Sequence, residues 1–101
     1  MTPEIRKYLK ELLEEAGQKD LGSELEEQMM NDLNVRLEDR LILTAMENLT
    51  QEQQDEFGRM AEKKTDPARL QAFLQKNIPD YDNVFARALE NFRETYLGPQ
   101  L

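Results

Sequence analysis

Residues 21–50, LGSELEEQMMNDLNVRLEDRLILTAMENLT, run without a proline, and their leucines and methionines do not keep to one side of a helix. Ser23 followed by Glu26 makes a Ser-x-x-Glu capping box, in which each side chain accepts the other residue's free backbone N–H, so a helix is expected to begin there. It can continue to about Asn48, roughly 38 Å at 1.5 Å per residue, which is long for a chain of this size. With about 100° allotted to each residue and Leu25 at zero, Leu25, Met29, Leu33 and Leu37 fall at about 0°, 40°, 80° and 120°. Farther along, Leu41, Ala45, Leu49, Ile42, Val35 and Met46 span about 160° to 300°, while Arg36, Glu47 and Arg40 fill about 20° to 60°. The helix is therefore expected to change its buried face halfway along. A coiled-coil seam would hold a fixed heptad, and this advancing pattern does not. The first half is expected to pack on an N-terminal helix and the second half to be wrapped by the segments C-terminal to it.

Upstream, Thr2 and Pro3 form a cap-plus-proline start, and Ile5, Tyr8, Leu9, Leu12, Leu13 and Ala16 continue at helical spacing before Gly17 ends the segment. Lys7 with Glu11 and Lys10 with Glu14 are spaced for i,i+4 pairing on its outer face. Residues 17–22 form a short hinge loop. Downstream, Thr50 with Gln53 is a second capping box and opens a helix from Gln51 to about Lys64 with Phe57, Met60 and Ala61 as its thin apolar stripe. Asp66-Pro67 starts a short helix to about Asn77 that turns Leu70, Phe73 and Leu74 inward, and Pro79 stops it. Tyr81, Val84, Phe85, Ala88, Leu89, Phe92 and Tyr96 then repeat at helical spacing until Gly98-Pro99. The expected fold is all-α: one compact five-helix domain over residues 1–101. It comprises a first helix and hinge loop (1–22), a long central helix (23–49) and three further helices (50–98). In that arrangement an N-terminal helical hairpin and a C-terminal helical cluster share the central helix.

Composition narrows the chemistry. Leu, Ile, Val and Phe supply 24 of the 101 residues, above the roughly 20% below which a highly charged chain stays disordered. Thirteen Lys and Arg against 21 Asp and Glu give a net charge of −8, a field that repels nucleic-acid phosphates and anionic lipid headgroups. There is no cysteine and no histidine, which removes disulfides, thiolate nucleophiles, Cys-bound zinc and the usual base at neutral pH. No apolar run approaches the roughly 18 residues of a membrane span or forms a secretory signal, so a cytoplasmic location is expected.

Clusters with chemical potential are few. Glu11, Glu14 and Glu15, or Glu24, Glu26 and Glu27, offer oxygen ligands, but helical di-metal sites pair such carboxylates with histidine, and helical charge runs ordinarily face water. The four glycines, at 17, 22, 58 and 98, are isolated, so neither a P-loop nor a dinucleotide-binding turn can be written. No cofactor, metal or catalytic residue is indicated. Tyr8, Tyr81 and Tyr96 lie on apolar helix faces, where a tyrosine packs its ring and keeps its hydroxyl at the rim. Arg36 and Arg40, with Asp32 and Glu47 nearby, read as an exposed ion-pair ladder or a charged contact rim. Met29 and Met30 read either as core filling or as an adaptable contact surface, since methionine serves both roles.

Two resemblances bear on function. Gly22-Ser23-Glu24-Leu25 resembles the helix start of the acyl and peptidyl carrier proteins, whose serine carries a phosphopantetheine arm. Glu24 stands here where that family has leucine, and the loop before the serine is shorter. The whole chain, through "AGQKDLG", "RLEDRLIL", "LTQEQQDEF", "DPARLQAFLQKNIPDYD" and "FRETYL", resembles a family of small acidic all-helical bacterial proteins catalogued only as a domain of unknown function. That likeness runs from Tyr8 to Leu97 and implies a bacterial, all-helical, non-enzymatic protein. It brings no catalytic residues with it.

The expected function is that of a non-enzymatic protein-interaction or regulatory module. Its partner-binding residues are Leu25, Met29, Met30, Leu33 and Leu37, and they accept a helix from another protein or from a second copy, as in a homodimer. Two alternatives stay open: an acidic decoy that occupies a basic nucleic-acid-binding surface on another protein, and a carrier-like domain modified on Ser23.

Overall fold

The computed structural model describes residues 2–98. They form five α-helices, α1 (Pro3–Glu15), α2 (Ser23–Glu47), α3 (Gln51–Glu62), α4 (Pro67–Asn77) and α5 (Tyr81–Leu97), and no strand occurs among them. The all-α expectation holds, as do the positions of the five helices.

Local chemistry sets most boundaries. At α1, Thr2 Oγ1 accepts the Ile5 N–H at 3.2 Å, with Pro3 at the first helical position where its missing N–H costs nothing. At α3 the capping box is complete: Gln53 N–H donates to Thr50 Oγ1 at 3.2 Å and Thr50 N–H donates to Gln53 Oε1 at 2.9 Å. Asp66 Oδ1 accepts the Ala68 N–H at 3.0 Å and starts α4. Helix α2 begins at Ser23 as expected, but its cap differs from the sequence reading. The Glu26 N–H bonds the Gly22 carbonyl at 3.0 Å, so Gly22 occupies the cap position with φ +83 and Ser23 is already inside the first turn. Glycine takes that backbone conformation without the clash a Cβ would bring. Helix α3 stops at Glu62 rather than near Lys64, because Lys64 enters the left-handed region at φ 55 while the Thr65 N–H reaches back to the Met60 carbonyl.

Contacts divide the chain into two compact units, and α2 and α5 contribute to both. Of the described residues, the first contains 2–40 and 89–98. Leu9, Leu12 and Leu13 of α1 and Met30, Leu33 and Leu37 of α2 are its buried apolar residues. Arg6 of α1 pairs with Glu27 of α2, and Lys10 with Glu26 at 3.9 Å, so α1 and the front of α2 make the expected hairpin. Lys10 thus reaches across to α2 instead of pairing with Glu14 along its own helix.

The second unit runs from Leu41 to Ala88. Its core is Ala45, Leu49, Phe57 and Ile78, with Met46, Leu70, Phe73, Leu74, Tyr81, Val84 and Phe85 packed against it. Phe57 and Phe73 stack at 6.2 Å between ring centroids, joining α3 to α4. Gln54 Nε2 donates to the Met46 carbonyl at 2.8 Å, satisfying an acceptor in the last turn of α2 that the helix cannot satisfy itself. Gln53 Nε2 likewise reaches Asn77 Oδ1 at 3.2 Å.

Along α2 the buried or half-buried positions Leu33, Leu37, Leu41 and Ala45 recur every fourth residue, with Leu49 just past its end continuing the spacing, so the covered side drifts by about 40° per step. The expected change of face is present as a gradual drift. Val35 and Ile42, expected under the wrapping of the second half, are instead 58% and 48% exposed. They lie at about 280° and 260°, where no neighbouring helix covers them at those levels of α2, although Met46, at about 300° in its last turn, is packed against the core.

Candidate helix-docking site

The five residues singled out on the front half of α2 separate into two sets. Met30, Leu33 and Leu37 are 0%, 3% and 1% exposed and belong to the core of the first unit. Leu25 is 46% exposed and Met29 is partly so. The chain covers three of the five and leaves an apolar edge, one turn long, at the start of the helix.

The cover is held by polar ties that the sequence pattern did not reveal. The Arg6 guanidinium donates two hydrogen bonds to the Glu27 carboxylate, which hold that carboxyl below the usual carboxylate range and raise the guanidinium further. Arg93 of α5 donates to Glu15 of α1, and this hydrogen bond likewise raises the guanidinium. The Tyr8 hydroxyl donates to the Leu89 carbonyl at 2.5 Å. Burial, with Glu90 and Glu15 adding negative potential against an opposing Arg93, pushes the Tyr8 hydroxyl up to about 12. The glutamates that read as solvation in the sequence thus include three interhelical partners, Glu15, Glu26 and Glu27. All these ion pairs are substantially exposed, so each contributes little to stability and serves chiefly to set register.

Beside this surface lies a cavity of about 470 Å³ between the last turns of α1 and the start of α2. Lys10, Lys19, Asp20 and Ser23 are on its wall together with the apolar Leu13 and Leu21. Ser23 is exposed there and, one residue past the cap, makes no capping bond. Among the described residues no group of three or more acidic side chains is placed to hold a metal ion, and no helix is long and apolar enough to cross a membrane.

Elsewhere on α2, Val35, Ile42 and Leu43 are exposed, Leu43 by 51%. Arg36 is exposed as well.

A family model described as protein of unknown function (DUF5663) matches residues 12–96, from the last turn of α1 almost to the end of α5. This agrees with the resemblance read from the sequence between Tyr8 and Leu97. No curated protein and no solved structure matches the chain.

Proposed function

We propose that this chain, which belongs to the DUF5663 family of proteins of unknown function, is a non-enzymatic helical interaction or regulatory module of a bacterial cytoplasm. Its receiving surface is the front half of α2. The reading rests on one observation: Met30, Leu33 and Leu37 are buried beneath the chain's own cover, whereas Leu25 and Met29 continue the same apolar surface into solvent. Apolar surface left open beside a seated helix suits a partner helix, which anchors through residues three and four apart. Leu25 and Met29, one turn apart on α2, form the open edge that such anchors would meet.

Leu25→Glu combined with Met29→Glu tests the reading, because both positions are open enough for the fold to survive. Circular dichroism and a urea midpoint establish that it does. Light-scattering mass and affinity capture from the source cell then compare wild type with the double variant. The double variant is expected to lose a protein, or a second copy, that wild type retains. A monomeric wild type whose captured proteins are all retained by the variant defeats the reading.

A second reading draws on Ser23, which stands exposed on the wall of the 470 Å³ cavity and is relieved of capping. In a carrier-like domain that serine would hold a phosphopantetheine arm, and the intact mass of protein from its native host would exceed that of the bare chain. An unmodified mass rules it out.

A further inference from the structure

We infer that a strip of α2 centred on Val35 and Ile42 is a second docking surface, whose occupant is a basic amphipathic helix of another protein with lysine or arginine along both edges of its apolar stripe. The strip lies at about 260° to 280°, apart from the Leu25 and Met29 edge at about 0° and 40°, so the inference goes beyond the function proposed above and stands without it. Val35 and Ile42 are 58% and 48% exposed, and they are one heptad apart, which brings both to nearly the same line of the helix. Residues 23–47 form one uninterrupted helix, so its own step of about 100° per residue fixes the strip. Single exposed apolar residues are ordinary surface features; what distinguishes this pair is its acidic frame.

Charge identifies the occupant. Between about 220° and 340° α2 carries Glu24, Asp32, Glu38 and Asp39, all exposed, while its two arginines, Arg36 and Arg40, fall outside at about 20° and 60°. Glu38 borders the strip on one side, and Asp32 and Asp39 border it on the other. Asp32 and Asp39 form no ion pair among the described residues, and Glu38 accepts a hydrogen bond only from Asn34 of its own helix, at 3.1 Å. A second copy would set this frame against itself, with a net charge of −8 on each chain, and like charges brought together act against that pairing. An apolar stripe edged by cations instead covers Val35 and Ile42 and meets carboxylates on both sides, which fixes its rotation and turns away acidic competitors. Met46 is packed against the core, so the strip closes after Ile42 and the occupant extends from there toward the start of α2.

Two synthetic peptides of about 20 residues test this on the full-length chain. Both carry leucine at helical spacing along one face; lysine edges that face in one peptide and glutamate in the other. Fluorescence anisotropy is expected to show binding of the lysine-edged peptide alone, weakening steeply between about 0.05 and 0.5 M salt. Val35→Gln with Ile42→Gln, and separately Asp32→Asn with Asp39→Asn, should each lower its affinity about tenfold or more. Glu11→Gln with Glu62→Gln removes the same charge from α1 and α3 and should leave the affinity within about twofold. All these positions are exposed, so the fold survives their replacement. No binding of the lysine-edged peptide, equal binding of both peptides, or an equal loss from the Glu11 and Glu62 pair overturns the inference. Binding that survives the Val35 and Ile42 pair but not Leu25→Gln with Met29→Gln would move the peptide to the other edge, removing this inference and leaving the proposed function in place.

Discussion

Replacing Tyr8 with Phe deletes one hydroxyl and keeps the ring. At neutral pH that hydroxyl donates to the Leu89 carbonyl, 81 residues away along the chain, at a half-buried position. A neutral hydrogen bond of this kind contributes about 1 kcal/mol. The carbonyl keeps its place in the α5 ladder after the change, so no stranded acceptor enlarges the loss. With a urea dependence of about 1 to 3 kcal/mol per molar, the unfolding midpoint should fall by about 0.3 to 1 M. A second signature comes from titration. The folded pKa of Tyr8 is pushed up to about 12, while an unfolded tyrosine ionises near 10. The neutral phenol's contribution is therefore complete below about pH 10 and is lost as the pH climbs through about 12. Two units set a ceiling of about 2.7 kcal/mol, which water around the partly exposed ring reduces to about 1 kcal/mol. Wild type should thus lead Tyr8→Phe near pH 7 and lose that lead in alkali. Urea unfolding of both proteins by circular dichroism, at neutral pH and on either side of about pH 10, checks it. A variant as stable as wild type at pH 7, or a gap that widens in alkali, would refute the reasoning.

Three further outcomes rest on single contacts. Thr50→Ala removes the hydroxyl half of the α3 capping box and should cost about 1 kcal/mol in thermal unfolding, and no loss would mean that Gln53 alone holds the cap. Lys64→Gly places glycine at φ 55 and should gain about 0.5 to 1 kcal/mol, whereas Lys64→Ala at the same site should gain nothing; equal midpoints for the two variants would contradict the left-handed assignment. Leu12→Ala empties a side chain that is 1% exposed and should cost about 2 to 5 kcal/mol, a loss that urea denaturation would read directly. A loss under about 1 kcal/mol would argue that α1 is not seated as described.

What the sequence made legible was chiefly local. Thr50 and Gln53 bond each other across three residues, and a signal so short survives without knowledge of the rest of the chain. The α2 cap lies one residue before Ser23 because Gly22 can occupy a cap through its backbone alone, a role that a search for side-chain caps passes over. Periodicity correctly placed Leu33, Leu37, Ala45 and Leu49 under cover, but it states which residues share a side, not which helix lies there. Val35 and Ile42 were therefore assigned to an arc that the structure leaves open. Nor does periodicity report the long-range contacts that place residues 89–98 in one compact unit with α1 and the front of α2. The Tyr8 tie to Leu89 had no signature to find, since its acceptor is a backbone carbonyl. Of the candidate site, the apolar residues could be named from the sequence, while the division into covered and open ones depended on α1 and on partners 78 and 81 residues distant.

The most direct test of this account concerns which side of α2 is covered. The chain contains no cysteine, so single thiols introduced by Leu33→Cys, Val35→Cys, Leu37→Cys and Ile42→Cys report accessibility without background. The account predicts rapid labelling of the native protein at 35 and 42 and protection at 33 and 37 that disappears in urea. Rapid labelling at 33 and 37 with protection at 35 and 42 would contradict it.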